Sequence, residues 1–228
     1  MERKLGVGKG TTEEKGLFWG KIVMGVALVA SVGFGMSQES FVIECYNKDL
    51  YACRHINAQT IAKLQKRCLE RGDDKACFIA GKALREQKKY KEALEFSKKA
   101  CEEGRGGGCV SLAGLYYYGK GVKFDYRKAL SLYKKACDLG YGLGCTNMGY
   151  MYGKGRWVRR NLKKTFALYK RACELGDELG CNNLGHLYYN GIGVKKDIKK
   201  GGALFKKACK MGSRVGCSNW KRVRFFVK

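Results

Sequence analysis

Apolar residues along most of this chain recur at helical spacing. In "YRKALSLYKKACDLG" (126–140), Ala129, Leu132, Tyr133 and Ala136 share one side of a predicted helix, with lysines on the other. In "CVSLAGLYYY" (109–118), Leu112, Leu115 and Tyr116 mark one side of a preceding helix. Between the two lies the glycine-rich loop "GKGVKF", and Asp125 stands where the second helix needs an N-cap. Asn161 and Asp197 take that place further along, and Gly140 suits the left-handed end of a helix.

The pattern returns every 36 residues. Cys101, Cys137, Cys173 and Cys209 form one ladder, and Cys109, Cys145, Cys181 and Cys217 form another. Alanine precedes each first cysteine (100, 136, 172, 208), and glycine precedes each second one (108, 144, 180, 216). Such a tandem array predicts an all-α fold: an α/α superhelix (solenoid) of helix pairs, each too small to bury its apolar face alone. A straight helix would hold the two sulfurs about 12 Å apart along its axis. The intervening glycines reverse the chain instead, so each pair becomes a staple closing a nine-residue loop, worth about 2.5 kcal/mol.

The flanks are less regular. Cys68 and Cys77 are nine residues apart and read as the same staple with one residue more. Cys45 and Cys53 keep the spacing of eight, but the 15 residues from Cys53 to Cys68 are too few for a full helix pair. Whether Cys45 and Cys53 pair with each other stays open. The expected organisation is an atypical cap over 38–75, the array over 76–216 and a capping half-repeat over 217–228. In that half-repeat Trp220, Val223 and Val227 face the last unit, while Lys221, Arg222 and Arg224 face water.

Ahead of the cap, Lys4, Lys9, Lys15 and Lys21 precede an apolar run over 22–35. Its length suits a signal-peptide core and falls short of the roughly 20 residues that span a bilayer. Small residues at Gly33, Gly35 and Ser37 place cleavage near 35–37 within a signal peptide over 1–37. Glu13 and Glu14 are atypical of such leaders, and an uncleaved membrane tether is the alternative. Export implies a secreted or periplasmic protein with no transmembrane span after cleavage. It also makes the 12 cysteines a disulfide set. No metal or cofactor is expected: C-x2-C spacing is absent, and His55 and His186 are the only histidines.

Charge adds a further signal. The formal net charge is +26, and Lys98-Lys99, Lys134-Lys135, Lys170-Arg171 and Lys206-Lys207 recur once per unit. Such pairs suit helix C-termini and solubility. They also favour anionic envelope or host ligands, such as lipopolysaccharide, anionic lipid or acidic protein. No specific nucleic-acid binding is expected, because nothing resembles a base-reading module.

The lines "KRACELGDELGCNNLGHLYYNGIGVKKD" (170–197) and "KKACDLGYGLGCTNMGYMYGKG" (134–155) resemble the Sel1-like repeat, a relative of tetratricopeptide repeats. Cysteine pairs in every unit behind a signal sequence are similar to the Helicobacter cysteine-rich protein family. The resemblance covers 75–217 and implies a right-handed superhelix with one disulfide per unit. It also implies β-lactam (penicillin) binding with weak β-lactamase activity, a possible link to peptidoglycan-derived ligands, and a role as secreted antigen.

The residues give that activity little support. A serine β-lactamase uses Ser-x-x-Lys together with S-D-N and K-T-G elements. The two Ser-x-x-Lys matches, Ser131 to Lys134 and Ser218 to Lys221, stand alone. A non-catalytic scaffold is the alternative. Its concave face would carry Tyr116, Asn147, Tyr152, Asn183, His186 and Tyr188 for a peptide, muropeptide or glycan, with His186 either groove-lining or merely packed. One unit departs from the rest: "GKGRWVRR" (153–160) puts Trp157 where its neighbours have Gly121 and Gly193. Trp157 is either exposed beside Arg156, Arg159 and Arg160 or folded back onto the array.

Overall fold

The computed structural model describes residues 36–47, 49–155 and 157–226. The apolar core of the expected leader, at 22–35, and Val227 of the expected cap lie outside the described residues. Helices account for the secondary structure. They are α1 (Gln38–Tyr46), α2 (Leu50–His55), α3 (Ala58–Arg71), α4 (Asp74–Glu86), α5 (Tyr90–Glu102) and α6 (Gly106–Tyr118). There follow α7 (Tyr126–Asp138), α8 (Gly142–Lys154), α9 (Leu162–Glu174), α10 (Glu178–Asn190), α11 (Ile198–Lys210) and α12 (Arg214–Val223), with a 3-10 turn over Arg224–Phe226. No strand occurs among the described residues. No described helix is long and apolar enough to cross a membrane.

The repeat letters each have a local job. Asp125, Asn161 and Asp197 cap α7, α9 and α11 by accepting from the backbone N–H of Lys128, Lys164 and Lys200. Their own N–H groups donate to the carbonyls of Tyr116, Tyr152 and Tyr188, which pins each loop to the helix before it. Gly104, Gly140, Gly176 and Gly212 all sit at positive φ just past a helix end. Helices α6, α8 and α10 begin three residues ahead of their cysteines, a turn earlier than the apolar pattern suggests.

Alanine and glycine explain how the sulfurs meet. Ala100, Ala136, Ala172 and Ala208 are fully buried. A Cβ built on Gly108, Gly144, Gly180 or Gly216 would lie 2.5, 2.7, 2.4 or 2.7 Å from the facing alanine Cβ. Only a pair of minimal side chains lets the two helices approach this closely. The cysteines beside them are joined as 101–109, 137–145, 173–181 and 209–217, with Cα atoms 4.3 to 4.7 Å apart. Cys68 is joined to Cys77, and Cys45 to Cys53.

Helices α3, α5, α7, α9 and α11 carry a first cysteine in their last turn, and α4, α6, α8, α10 and α12 carry a second one in their first turn. Each packs on its sequence neighbours, and consecutive members of the second set also touch. Before them, α1 and α2 repeat the device in shortened form: α2 has six residues and still closes its bridge. This hairpin packs on α4, and Lys82 Nζ reaches the Cys45 carbonyl. Glu44 of α1 also pairs with Arg214 of α12, 170 residues away in sequence. Met36–Lys228 make one compact unit, with the described core and all six bridges inside it.

Candidate functional site

Two clefts join along the side lined by α4, α6, α8 and α10. The larger, of about 550 Å3, is walled by Tyr117, Tyr118, Tyr150, Met151 and Trp157. Tyr118, Tyr133 and Asn147 line both clefts. The second cleft, of about 230 Å3, continues to Phe78, Lys82 and Arg85 of α4 and Leu179 of α10, with Tyr46 of α1 also on its wall. The result is a continuous trough in which tyrosine, phenylalanine and tryptophan rings share the walls with charged groups, Lys82 and Arg85 of α4, Asp177 just ahead of α10 and Glu178 at its start, and Asn147 belongs to both clefts.

Local sequence builds each wall. Gly114 of α6 holds the register that Tyr150 holds in α8 and His186 in α10. A Cβ on Gly114 would come within 2.5 Å of Arg85 Nη1, so this glycine makes room for the guanidinium. Arg85 in turn lies 5.3 Å from the Tyr118 ring centroid and bonds Glu86 at 2.9 Å. Burial pushes the Tyr133 hydroxyl well above its usual pKa, with the Tyr118 phenol adding to the shift, so Tyr133 remains a neutral donor. Tyr169, its counterpart one unit on, is pushed up to about 12 by the same desolvation.

Trp157 satisfies part of each sequence reading. Gly121 and Gly193 have positive φ, a conformation that a tryptophan in the same place adopts only at a cost. At Gly121 an added Cβ would strike Tyr90 at 2.5 Å. In the middle unit Tyr126 occupies the place of Tyr90, and the Trp157 ring stacks on it instead, centroids 5.5 Å apart and planes 21° from parallel. Phe124 closes a second side at 5.0 Å. The indole folds back onto the preceding unit yet stays 39% exposed, offering a fixed aromatic surface to the larger cleft.

Among the residues named from sequence, Asn147 stands in the trough. Tyr116, Tyr152 and Tyr188 do not line it. They turn toward the following helix, beneath Lys128, Lys164 and Lys200 at 4.4, 5.1 and 5.7 Å. Asn183 and His186 lie beyond it, in an amide cluster between α10 and α12. There Asn219 Nδ2 donates to Asn182 Oδ1 at 2.8 Å and lies 3.1 Å from His186 Nε2, while Asn182 approaches Asn183 at 3.5 Å. Desolvation, then the nearby Arg222 charge, lowers the His186 pKa, and a neutral Nε2 can accept from Asn219.

Sequence reading missed Tyr117, Tyr118 and Tyr150. The run Tyr116-Tyr117-Tyr118 spreads over about 200° of the helix, and the apolar periodicity picks out only the packed member. The signal was the register of 114, 150 and 186, which changes from unit to unit while the cysteines do not.

The two Ser-x-x-Lys matches are surface turns outside the trough. Ser131 Oγ donates to the Lys128 carbonyl at 2.9 Å, and Lys134 pairs with Asp138 at 2.6 Å. Ser218 is exposed on α12. No group of three or more metal-ligating side chains occurs among the described residues.

Comparison with known proteins follows the same helix pairs. No curated protein matches the chain. A Sel1 repeat protein of Oxalobacter formigenes is 26% identical over 57% of this chain and 97% of its own, with a TM-score of 0.51. A protective antigen of uropathogenic Escherichia coli, described as displaying an SLR fold, is 22% identical over 83% of this chain, with a TM-score of 0.53. The chain spans 52% of that antigen's length. Helicobacter pylori cysteine rich protein B is 35% identical over 57% of this chain and 93% of its own, with a TM-score of 0.48. Residues 77–104, 108–141, 142–177 and 179–213 each match the Sel1 repeat. With four consecutive units on the stapled helix pairs, and more than half of its residues within them, the chain belongs to the Sel1 repeat family.

Proposed function

We propose that this protein is a non-catalytic binding scaffold whose trough takes an extended peptide carrying aromatic or aliphatic side chains. The observation behind this reading is the continuous aromatic wall from Phe78 to Trp157 around Asn147. Aromatic rings held by packing offer contact area at low entropic cost. A carboxamide can donate to a peptide carbonyl and accept from a peptide N–H. Six bridges suit an oxidising compartment, so the ligand is sought outside the cytosol.

The β-lactam activity implied by family resemblance has no observation in its favour: no serine lines the trough, and Ser131 and Lys134 each have a local partner. The test is a random-peptide selection, followed by titration of the enriched sequences. Trp157→Ala and Asn147→Ala should each weaken binding at least tenfold, with thermal unfolding as the check that each variant is still folded at the assay temperature. Equal binding by both variants would move the ligand elsewhere. Capture of muropeptide glycans but no peptide would replace the peptide by a sugar. Turnover of a chromogenic cephalosporin would restore the catalytic reading.

A further inference from the structure

Basic charge is unevenly spread along this array. Helix α5 carries three basic and three acidic side chains, and α7 and α9 each carry four basic and one acidic. Helix α11 carries five basic residues and α12 three, and neither has an acidic one. The ion pairs follow that gradient. Lys98, Lys134 and Lys170 each face a carboxylate one turn on, at Glu102, Asp138 and Glu174. At the corresponding place in α11 Lys206 is followed by Lys210. Lys206 sits instead 5.3 Å from the Trp220 ring centroid.

The basic end also carries the two most exposed of the large apolar side chains among the described residues. The 3-10 turn after α12 packs against both α11 and α12 and presents Phe225 and Phe226, 66% and 70% exposed, beside Arg224. Val215 of α12 is half exposed as well. Exposed adjacent phenylalanines are costly in water, and a cationic rim makes them poor partners for another basic surface such as a second copy of this chain.

From this pairing we propose that the α11–α12 end docks on an anionic lipid surface. Lys206, Lys207, Lys210, Lys221 and Arg222 attract the headgroups, and Phe225 and Phe226 insert at the headgroup–acyl boundary. Cations supply long-range attraction to negatively charged membranes, and aromatic insertion supplies a salt-resistant part. The proposal stands whether or not the trough takes a peptide.

The compact unit Met36–Lys228 allows a direct test by co-sedimentation with vesicles. Binding is expected to mixed phosphatidylglycerol–phosphatidylcholine vesicles at low salt and not to phosphatidylcholine alone. Phe225→Ser with Phe226→Ser should weaken it about tenfold, and Lys206→Gln, Lys207→Gln and Lys210→Gln together should do at least as much. Thermal unfolding is the control that each variant is folded. Lys98→Gln with Lys99→Gln on α5 should change little. An α5 loss equal to the α11 loss would reduce the effect to net charge and overturn the proposal. Wild-type binding by the phenylalanine variant, or no vesicle binding at all, would overturn it too.

Discussion

Helices α6 and α8 and helices α10 and α12 are built on one frame and lined differently. In both halves a buried alanine faces a glycine, a bridge follows, and an αL glycine reverses the chain. On the lined side the same registers hold Gly114 and Tyr150 in one half and His186 and Arg222 in the other. The first half opens an aromatic trough; the second fills its space with the amides of Asn182 and Asn219 around a neutral imidazole. The residues that make the fold are therefore separable from those that make the surface, and recognition can vary from unit to unit without touching stability.

The frame should respond alike in both halves, and strongly. Gly144→Val and Gly180→Val should each cost about 3 kcal/mol, because the new side chain meets Ala136 or Ala172 with no room to move. Urea unfolding measures both, and a variant tolerated in one half alone would break the shared frame. Next in size come the bridges. Replacing Cys137 with Cys145, or Cys173 with Cys181, by serine should cost about 2.5 kcal/mol in either place by loop-closure entropy. Non-reduced peptide mapping of the native protein should return each of these pairs.

The smallest effect should separate the halves. Asn219→Leu leaves Asn182 and His186 without their shared donor and should cost about 1 kcal/mol, with no effect on ligand binding in the trough. The same imidazole gives the fold a pH dependence. The folded His186 titrates below the unfolded histidine value of 6.5. The unfolded chain therefore holds more protons as pH falls below 6.5, and stability should drop on acidification through that window while staying flat above it. Arg222→Gln removes the nearby positive charge, so it should move the His186 NMR titration upward and shrink that drop. An unchanged titration would show that the Arg222 charge does not act on the imidazole.

Much of the frame could be read from spacing. Alanine, cysteine and glycine recur because two helices must touch at their backbones, and that demand is local and the same in every unit. The lining was harder. Tyr116, Tyr152 and Tyr188 look like a surface series because they repeat, yet their repetition reflects contact with Lys128, Lys164 and Lys200 inside each unit. Tyr150 and Trp157 do not repeat, so periodicity passes over them, and they form the trough. Trp157 in a glycine's register signalled that this unit departs from the rest, but only the stack on Tyr126 fixes which way the indole turns.

The contact between Glu44 and Arg214 bears on how this molecule comes apart. An array in which each unit touches only its neighbours can fray from either tip, one unit at a time. Here one ion pair, with an exposed arginine, ties the first described helix to the last full one, and such a pair contributes only about 0–1 kcal/mol. It couples the two tips weakly, so a protease should still meet the array opening from its ends, with fraying at both tips restrained together by a factor of a few.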